Sequence, residues 1–350
     1  MRKVKLKDIA NAAGVSAPVV SVALSGNLNG TTKLKKETRD RILKIAAEMH
    51  YTPDIFGRSL RSNKSFLIGI MLFNVNSLLM GEFIRGAQKL LAKSGYSPVF
   101  FNHATREEQR HNLTLCMERK VDGLILNTWI DERSGEIDND FIRGLLPKDF
   151  PLIEVYGRNF SDVVSVDIDN KTSFYNMCCH LINSGHRKIL MVNYENYSLG
   201  QHSSLYRNSW ECYEGYDEAM KKNGLQSRLI LHPHAMNEPL ANCTDHTYRL
   251  LCDLLEKGSL PDAIVCKNDE QAIGVLRACA DKNIKVPEEL AVCGFGNAYI
   301  GQLSSPPLTS CNTSAYKVGA TSSSMLLKLI KGEKIASRKI IAELVLRKSC

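Results

Sequence analysis

His232, His234, Cys243 and His246 are the side chains in this sequence best suited by type to hold a metal ion, zinc above all. The Pro, Asn and Glu residues interleaved with them read as an irregular surface loop, so no metal site is expected there. Motifs for nucleotide or covalent chemistry are missing: the chain has no Walker loop, no HExxH and no GxSxG. Gly294-Phe-Gly296 is a lone GxG after an expected strand and lacks the third glycine of a dinucleotide turn. No nucleophile–base cluster stands out, so neither an enzyme nor a cofactor is expected. What remains are groups that bind rather than react. Asn127, Trp129, Tyr156, Tyr194, Tyr197, Trp210 and Asn268 fall at or near the ends of expected strands. Such residues can stack on and hydrogen-bond a neutral sugar, or serve as ordinary core and rim.

A second binding chemistry is written at the N-terminus. Leu6, Ile9, Ala10 and Ala13 repeat at helical spacing, and Gly14 suits a tight turn. Ser16 is a good N-cap, Pro18 a good first-turn residue, and Val20, Ala23 and Leu24 form the inward face of a second helix that ends at Gly26. Two short helices around such a turn make a helix-turn-helix, whose second helix fits the DNA major groove; an ordinary helical hairpin is the alternative. Charge favours DNA. Residues 1–62 hold twelve lysines and arginines against five acids, a surplus of seven, whereas the whole chain is only +8. A basic head on a near-neutral body is the electrostatic footprint of a phosphate-backbone binder. Lys36 to Met49 then reads as a third helix with Ile42, Leu43, Ala46 and Met49 on its apolar face.

From Phe66 onward the pattern changes to apolar strands alternating with amphipathic helices. Strands are expected at 66–72, 96–101, 122–126, 151–156, 188–192, 227–231, 263–266 and 290–295, with helices over 82–94, 106–119, 211–223 and 270–282. That alternation predicts parallel sheets covered by helices, arranged as two open α/β lobes whose ligand would sit beyond the strand ends, in the cleft. At 350 residues the chain has room for a small all-α head and two such lobes. Boundaries are expected at 1–52 for the head, 53–63 for a hinge or linker and 64–350 for the body. No run of about 18 apolar residues is present, so no membrane span is expected. No signal-peptide core follows the first residues, and none of the eleven cysteines forms a CxxC pair; a cytoplasmic protein with reduced thiols is the expectation.

Val4-Lys-Leu-Lys-Asp-Ile-Ala, Gly14-Val-Ser and Val20-Ser-Val-Ala-Leu-Ser-Gly26 resemble the opening of the LacI/GalR transcriptional regulators. Glu37-Thr-Arg-Asp-Arg-Ile-Leu43, Tyr51-Thr-Pro and Arg58-Ser-Leu-Arg61 continue the match, which further motifs extend almost to the C-terminus. The resemblance implies a periplasmic-binding-protein-like body and a homodimer on double-stranded operator DNA. It also implies a small-molecule effector in the cleft, a sugar or derivative, and repression as the mode of action. It places Ser16, Ala17, Pro18, Ser21 and Val22 on the DNA-reading helix, and Arg58, Leu60 and Arg61 in a hinge helix whose leucine wedges into the minor groove.

The chain departs from that family pattern at several positions. Ala17, Pro18 and Val22 stand where relatives carry base-reading side chains, and none of the three can bond two edges of a base. In the cleft, Cys212 stands where many relatives have an effector-anchoring Arg, three residues before Gly215-Tyr216. Gly296 stands where many have Asp, and Leu79 and Met80 replace an aromatic pair. Asn268-Asp269 does match, either as a ligand contact or as a helix cap. The expected cleft set is therefore Met80, Asn127, Trp129, Tyr156, Tyr194, Trp210, Cys212, Asn268 and Gly296. A regulator whose cleft has lost its usual effector is the alternative, and a solute-binding protein is disfavoured by the basic head.

Overall fold

The computed structural model describes residues 4–25, 34–51, 59, 62–73, 79–130, 136–195, 198, 206–233, 240–258 and 260–350. They divide into two compact units, Met1–Lys64 and Ser65–Cys350.

Three helices pack around one small core in the first unit: α1 (Leu6–Ala13), α2 (Ala17–Ser25) and α3 (Lys36–Glu48). The start of α1 is closed by Asp8, whose carboxylate accepts from the Lys5 backbone N–H at 2.8 Å. Gly14 ends it with φ +62°, the left-handed region that an L side chain enters only under strain. Ile9, Ala10, Ala13, Val20, Ala23, Ile42 and Ala46 are buried together. Leu43 is not among them. It is 38% exposed, because Ile42 and Ala46 already fill the inward positions and Ile45 completes their stripe.

The second unit contains two six-stranded sheets. β1 (Leu67–Phe73), α4 (Met80–Lys93), β2 (Ser97–His103), α5 (Arg106–Glu118), β3 (Gly123–Leu126), α6 (Asn139–Leu145), β4 (Leu152–Val155) and β5 (Val164–Ile168) build the first lobe. α7 (Asn170–Asn183), β6 (Ile189–Tyr194), α8 (Arg207–Lys222), β7 (Arg228–His232), α9 (Leu240–Glu256), β8 (Ala263–Cys266), α10 (Asp269–Asp281), β9 (Ala291–Phe295), α11 (Tyr299–Leu303) and β10 (Thr309–Asn312) build the second. The chain then returns through α12 (Ala315–Leu329), which packs on α4, to β11 (Arg338–Ile340), and closes with β12 (Glu343–Val345). Strand order is β11-β5-β4-β3-β1-β2 in one sheet and β12-β10-β9-β8-β6-β7 in the other. The chain therefore passes between the lobes three times: after β5, after β10 and between β11 and β12. Among the described residues every ladder between named strands is parallel except β12 against β10, an antiparallel edge pair that the sequence pattern does not reveal.

The core strands are near-continuous apolar runs because both faces are covered by helices; β3, β4, β8 and β9 are buried at every position. One apolar cluster runs through both lobes, joining Phe83 and Ile125 to Phe174, Cys212 and Phe295. The segment from 240 corrects the expected loop. It is a seventeen-residue helix, with Cys243, Thr247 and Leu251 buried at four-residue spacing. None of the eleven cysteines forms a disulfide. No helix among the described residues is long and apolar enough to cross a membrane.

Candidate functional site

In the head, α2 turns Val20 and Ala23 fully inward, with Ala17, Val19 and Leu24 half-buried against the same core. Ser16 sits at the N-cap position, its carbonyl accepting from the Val20 N–H at 3.2 Å. Ser16 and Pro18 are exposed, while Ser21 and Val22 are half-buried on the outward side. Four-residue spacing puts Pro18 with Val22, and Ala17 with Ser21, on neighbouring rows of that face. Ala17 is divided between roles, since part of it packs against the head core. Arg58, Leu60 and Arg61 lie outside the described residues, as do Tyr197 and His234.

The expected cleft residues take several different places in the body. Tyr194, at the end of β6, and Asn268, just before α10, are brought together: the Asn268 amide donates to the Tyr194 hydroxyl at 2.8 Å. The same Asn268 caps α10, its side-chain oxygen accepting from the Gln271 N–H at 2.8 Å. Trp210 lies half-buried on α8 with its ring 5.3 Å from that of Tyr213. Asn127 and Trp129 instead stitch the first lobe. The Asn127 side chain donates to Val155 O at 3.1 Å and accepts from Phe73 N at 3.3 Å, and the Trp129 N–H donates to the Gln109 side chain. Met80 opens α4 and packs against the central apolar cluster. Tyr156, with φ +55°, sets its ring 5.9 Å from Phe83, and its buried hydroxyl has no hydrogen-bond partner among the described residues.

Cys212 is a core residue rather than a lining one. It is fully buried beside Phe174 and Phe295, and burial pushes its thiol up to about 12. Gly296 has φ +133°, and a Cβ there would come within 3.3 Å of the Asp269 carboxylate. Asp269 is itself buried, accepting from the Ser310 hydroxyl at 2.6 Å and the Ala298 N–H at 2.5 Å. It fastens the turn after β9, and burial raises its carboxyl above the usual range. His232, Cys243 and His246 do come close, with the two imidazoles 5.4 Å apart. His232 Nε2, however, lies 3.2 Å from the Cys243 carbonyl, and no group of three potential metal ligands occurs among the described residues.

Sequence reasoning misses one cluster. Arg158 follows β4 in the first lobe and binds Glu211 on α8 of the second. Its Nε also lies 3.3 Å from Asp167 at the end of β5. Lys339 on β11 approaches Glu211 to 3.7 Å, and the Asn170 amide donates to the other Glu211 oxygen at 3.2 Å. Five separate stretches of the chain contribute these groups, so no local spacing in the sequence announces them.

Two sequence patterns account for the head and for the second half of the body. Residues 5–54 match the bacterial regulatory proteins of the lacI family, and residues 179–350 match the periplasmic binding protein-like domain. The chain joins a lacI-family head to a periplasmic binding protein-like body. It is a DNA-binding transcriptional regulator. Along its whole length it is similar to the HTH-type transcriptional repressor PurR of Histophilus somni, with 28% identity over 349 residues and 98% of each chain covered. Among solved structures, the lac repressor dimer bound to operator and the anti-inducer ONPF overlays with TM-score 0.73 at 20% identity, covering 99% of each chain. The complex of the transcriptional regulator CelR with cellobiose overlays with TM-score 0.64, also at 20% identity, covering 99% of this chain and all of that one. At such identity these overlays establish the shared LacI-family fold and nothing finer.

Proposed function

We propose that this regulator is a homodimeric repressor whose two heads occupy neighbouring major grooves of a near-palindromic operator. The observation that carries the reading is the outer face of α2. Ser16, Pro18, Ser21 and Val22 line it, on a head whose first 62 residues hold seven more basic than acidic residues. The boundaries that fit are a head over 1–52, a hinge over 53–63 with Arg58, Leu60 and Arg61 at the minor groove, and a body over 64–350. A second copy would cover apolar surface that is costly to leave in water: Tyr299 is 69% and Leu303 67% exposed on α11, and Phe100 is exposed on edge strand β2. Selection of operators from a randomised pool by the full chain, followed by titration against salt, tests the reading. Several neutralised phosphates per head give a steep fall, since log K drops by about 0.9 per phosphate for each unit of log salt. A flat salt response, or no enriched two-fold motif, refutes it.

The cleft is proposed to take a small uncharged ligand, a sugar or derivative, against Tyr194, Asn268 and Trp210. The neutral amide–phenol pair and the half-buried indole support this, and ligands that bind would raise the thermal stability of the full chain. A second reading, in which the cleft has no effector, is favoured by the two anchor positions. Cys212 is buried among apolar side chains, and Gly296 lies against Asp269.

A further inference from the structure

We propose that Arg158 is the keystone of a charge brace that sets the angle between the two lobes with no ligand present. The inference rests on the proposed reading of the chain as a two-lobed regulator and adds that the angle between its lobes is the regulated quantity. Arg158 hydrogen-bonds a second-lobe carboxylate, Glu211, and its Nε stands 3.3 Å from a first-lobe carboxylate, Asp167, in charge contact without a hydrogen bond. Both acids are buried, with side chains 2% and 11% exposed, so water screens them poorly. The brace stands beside two of the crossovers. Asp167 lies two residues before Asp169, whose N–H donates to Ile340 O at 2.9 Å, and Lys339 lies three before Ala342, whose N–H donates to the Ser173 hydroxyl.

The arrangement has a sign that packing alone lacks. Asp167 is raised first by burial and then by the nearby charge of Glu211, while Arg158 and Lys339 pull it back. With the guanidinium in place the lobes are tied through it. Without it, the two acids face each other across the lobe boundary with Lys339, 3.7 Å from Glu211, as the cluster's remaining cation, and opening relieves the repulsion that Lys339 does not offset. Removing one member of a buried ionic set leaves the rest uncompensated, a heavier loss than the pair's own net contribution. A brace of this kind does inside the chain what a bridging ligand does in a two-lobed sensor, and leaves DNA binding set by how firmly the joint is held.

The test is hydrogen–deuterium exchange of the full, ligand-free chain, read over 156–168 and 207–214. Arg158→Met is expected to speed exchange in both segments by roughly tenfold or more, with α5 on the far side of the first lobe unchanged. The double variant Arg158→Met/Glu211→Gln should return most of the way to wild type, because the repulsion is gone although the side chain is still absent. Exchange at the wild-type rate in Arg158→Met overturns the proposal. So does a double variant as fast as the single one, which would assign Arg158 a packing role. Should Arg158→Met fail to fold, Lys339→Met is expected to give the same pattern at a smaller amplitude, and no change there is equally fatal. Since no ligand enters the experiment, a failed effector screen does not touch its outcome.

Discussion

Replacing Gly215 by alanine should loosen the body and misplace the cleft face of α8. A Cβ built on Gly215 would lie 2.1 Å from the carbonyl oxygen of Lys171 and 3.0 Å from the Tyr175 nitrogen, both backbone atoms of α7. An ordinary carbon–oxygen contact is about 3.3 Å, so one helix must retreat by roughly 1 Å. Core overpacking of this kind costs typically 1–3 kcal/mol, and here the obstacle is backbone, which places it at the upper end. The alanine recovers about 1 kcal/mol of helix propensity, leaving a net loss of about 2 kcal/mol. At roughly 2–4 °C per kcal/mol for a body of this size, melting should fall by about 4–8 °C. Gly144 in α6 is the internal control, with nothing within 4 Å of its Cβ position, so Gly144→Ala should be neutral or gain up to about 1 kcal/mol. Circular dichroism melts of both variants, with urea titrations, decide the matter. If Gly215→Ala melts as high as Gly144→Ala, the close approach of α7 and α8 is not what holds α8 in place.

His103 is fully buried, and burial pushes it down to about 4. Unfolding therefore takes up a proton below about pH 6.5, and stability drains by about 3 kcal/mol between there and pH 4. His103→Leu should remove that slope in urea titrations run across the range; an unchanged slope would mean the imidazole is charged in place. Tyr216→Phe should cost about 1–3 kcal/mol in the same titrations, because the O–H shared between the Ile189 and Arg228 carbonyls is removed, together with the oxygen that accepts from the Arg228 N–H. Val22→Arg should add a guanine preference at one base pair per half-site, worth about 1–3 kcal/mol, in a repeat of the operator selection. An unchanged motif would show that Val22 is not aimed at base edges.

The head and the alternating body were legible because their signals are local. The 3.6-residue stripe of α1, the glycine at a positive φ and the apolar runs of β1, β3, β6, β8 and β9 each stand within a dozen residues. What escaped was set by distant partners. β5 reads as half polar in Val164-Ser-Val-Asp-Ile168, and it is a strand because β4 pairs on one side and β11, far along the chain, on the other. β12 is three residues long and owes its direction to β10. The start of α9 was hidden by Pro239 and the polar residues before it, which resemble a loop in any short window. Leu43 belongs to the opposite error: its type fits a core, but a three-helix head of this size fills its core with two rows from α3, and Leu43 falls on a third.

The cleft shows why family position and chemical role can separate. Asn268 and Asp269 are neighbours that both match the family, yet one backbone step sends them to different tasks. Asn268 stays half-exposed, bonded to Tyr194, whereas Asp269 turns inward to Ser310 and Ala298. With Asp269 so placed, a side chain at 296 would press on its carboxylate from a backbone conformation that already favours glycine. The two departures are thus linked: an inward Asp269 is compatible with Gly296 and strained by an aspartate there. An aspartate at 296 would also set a second carboxylate against a buried one that burial already raises. A ligand at this corner would meet an amide and a phenol in place of an ion pair, and the charge that spans the lobes stands instead at Arg158 and Glu211.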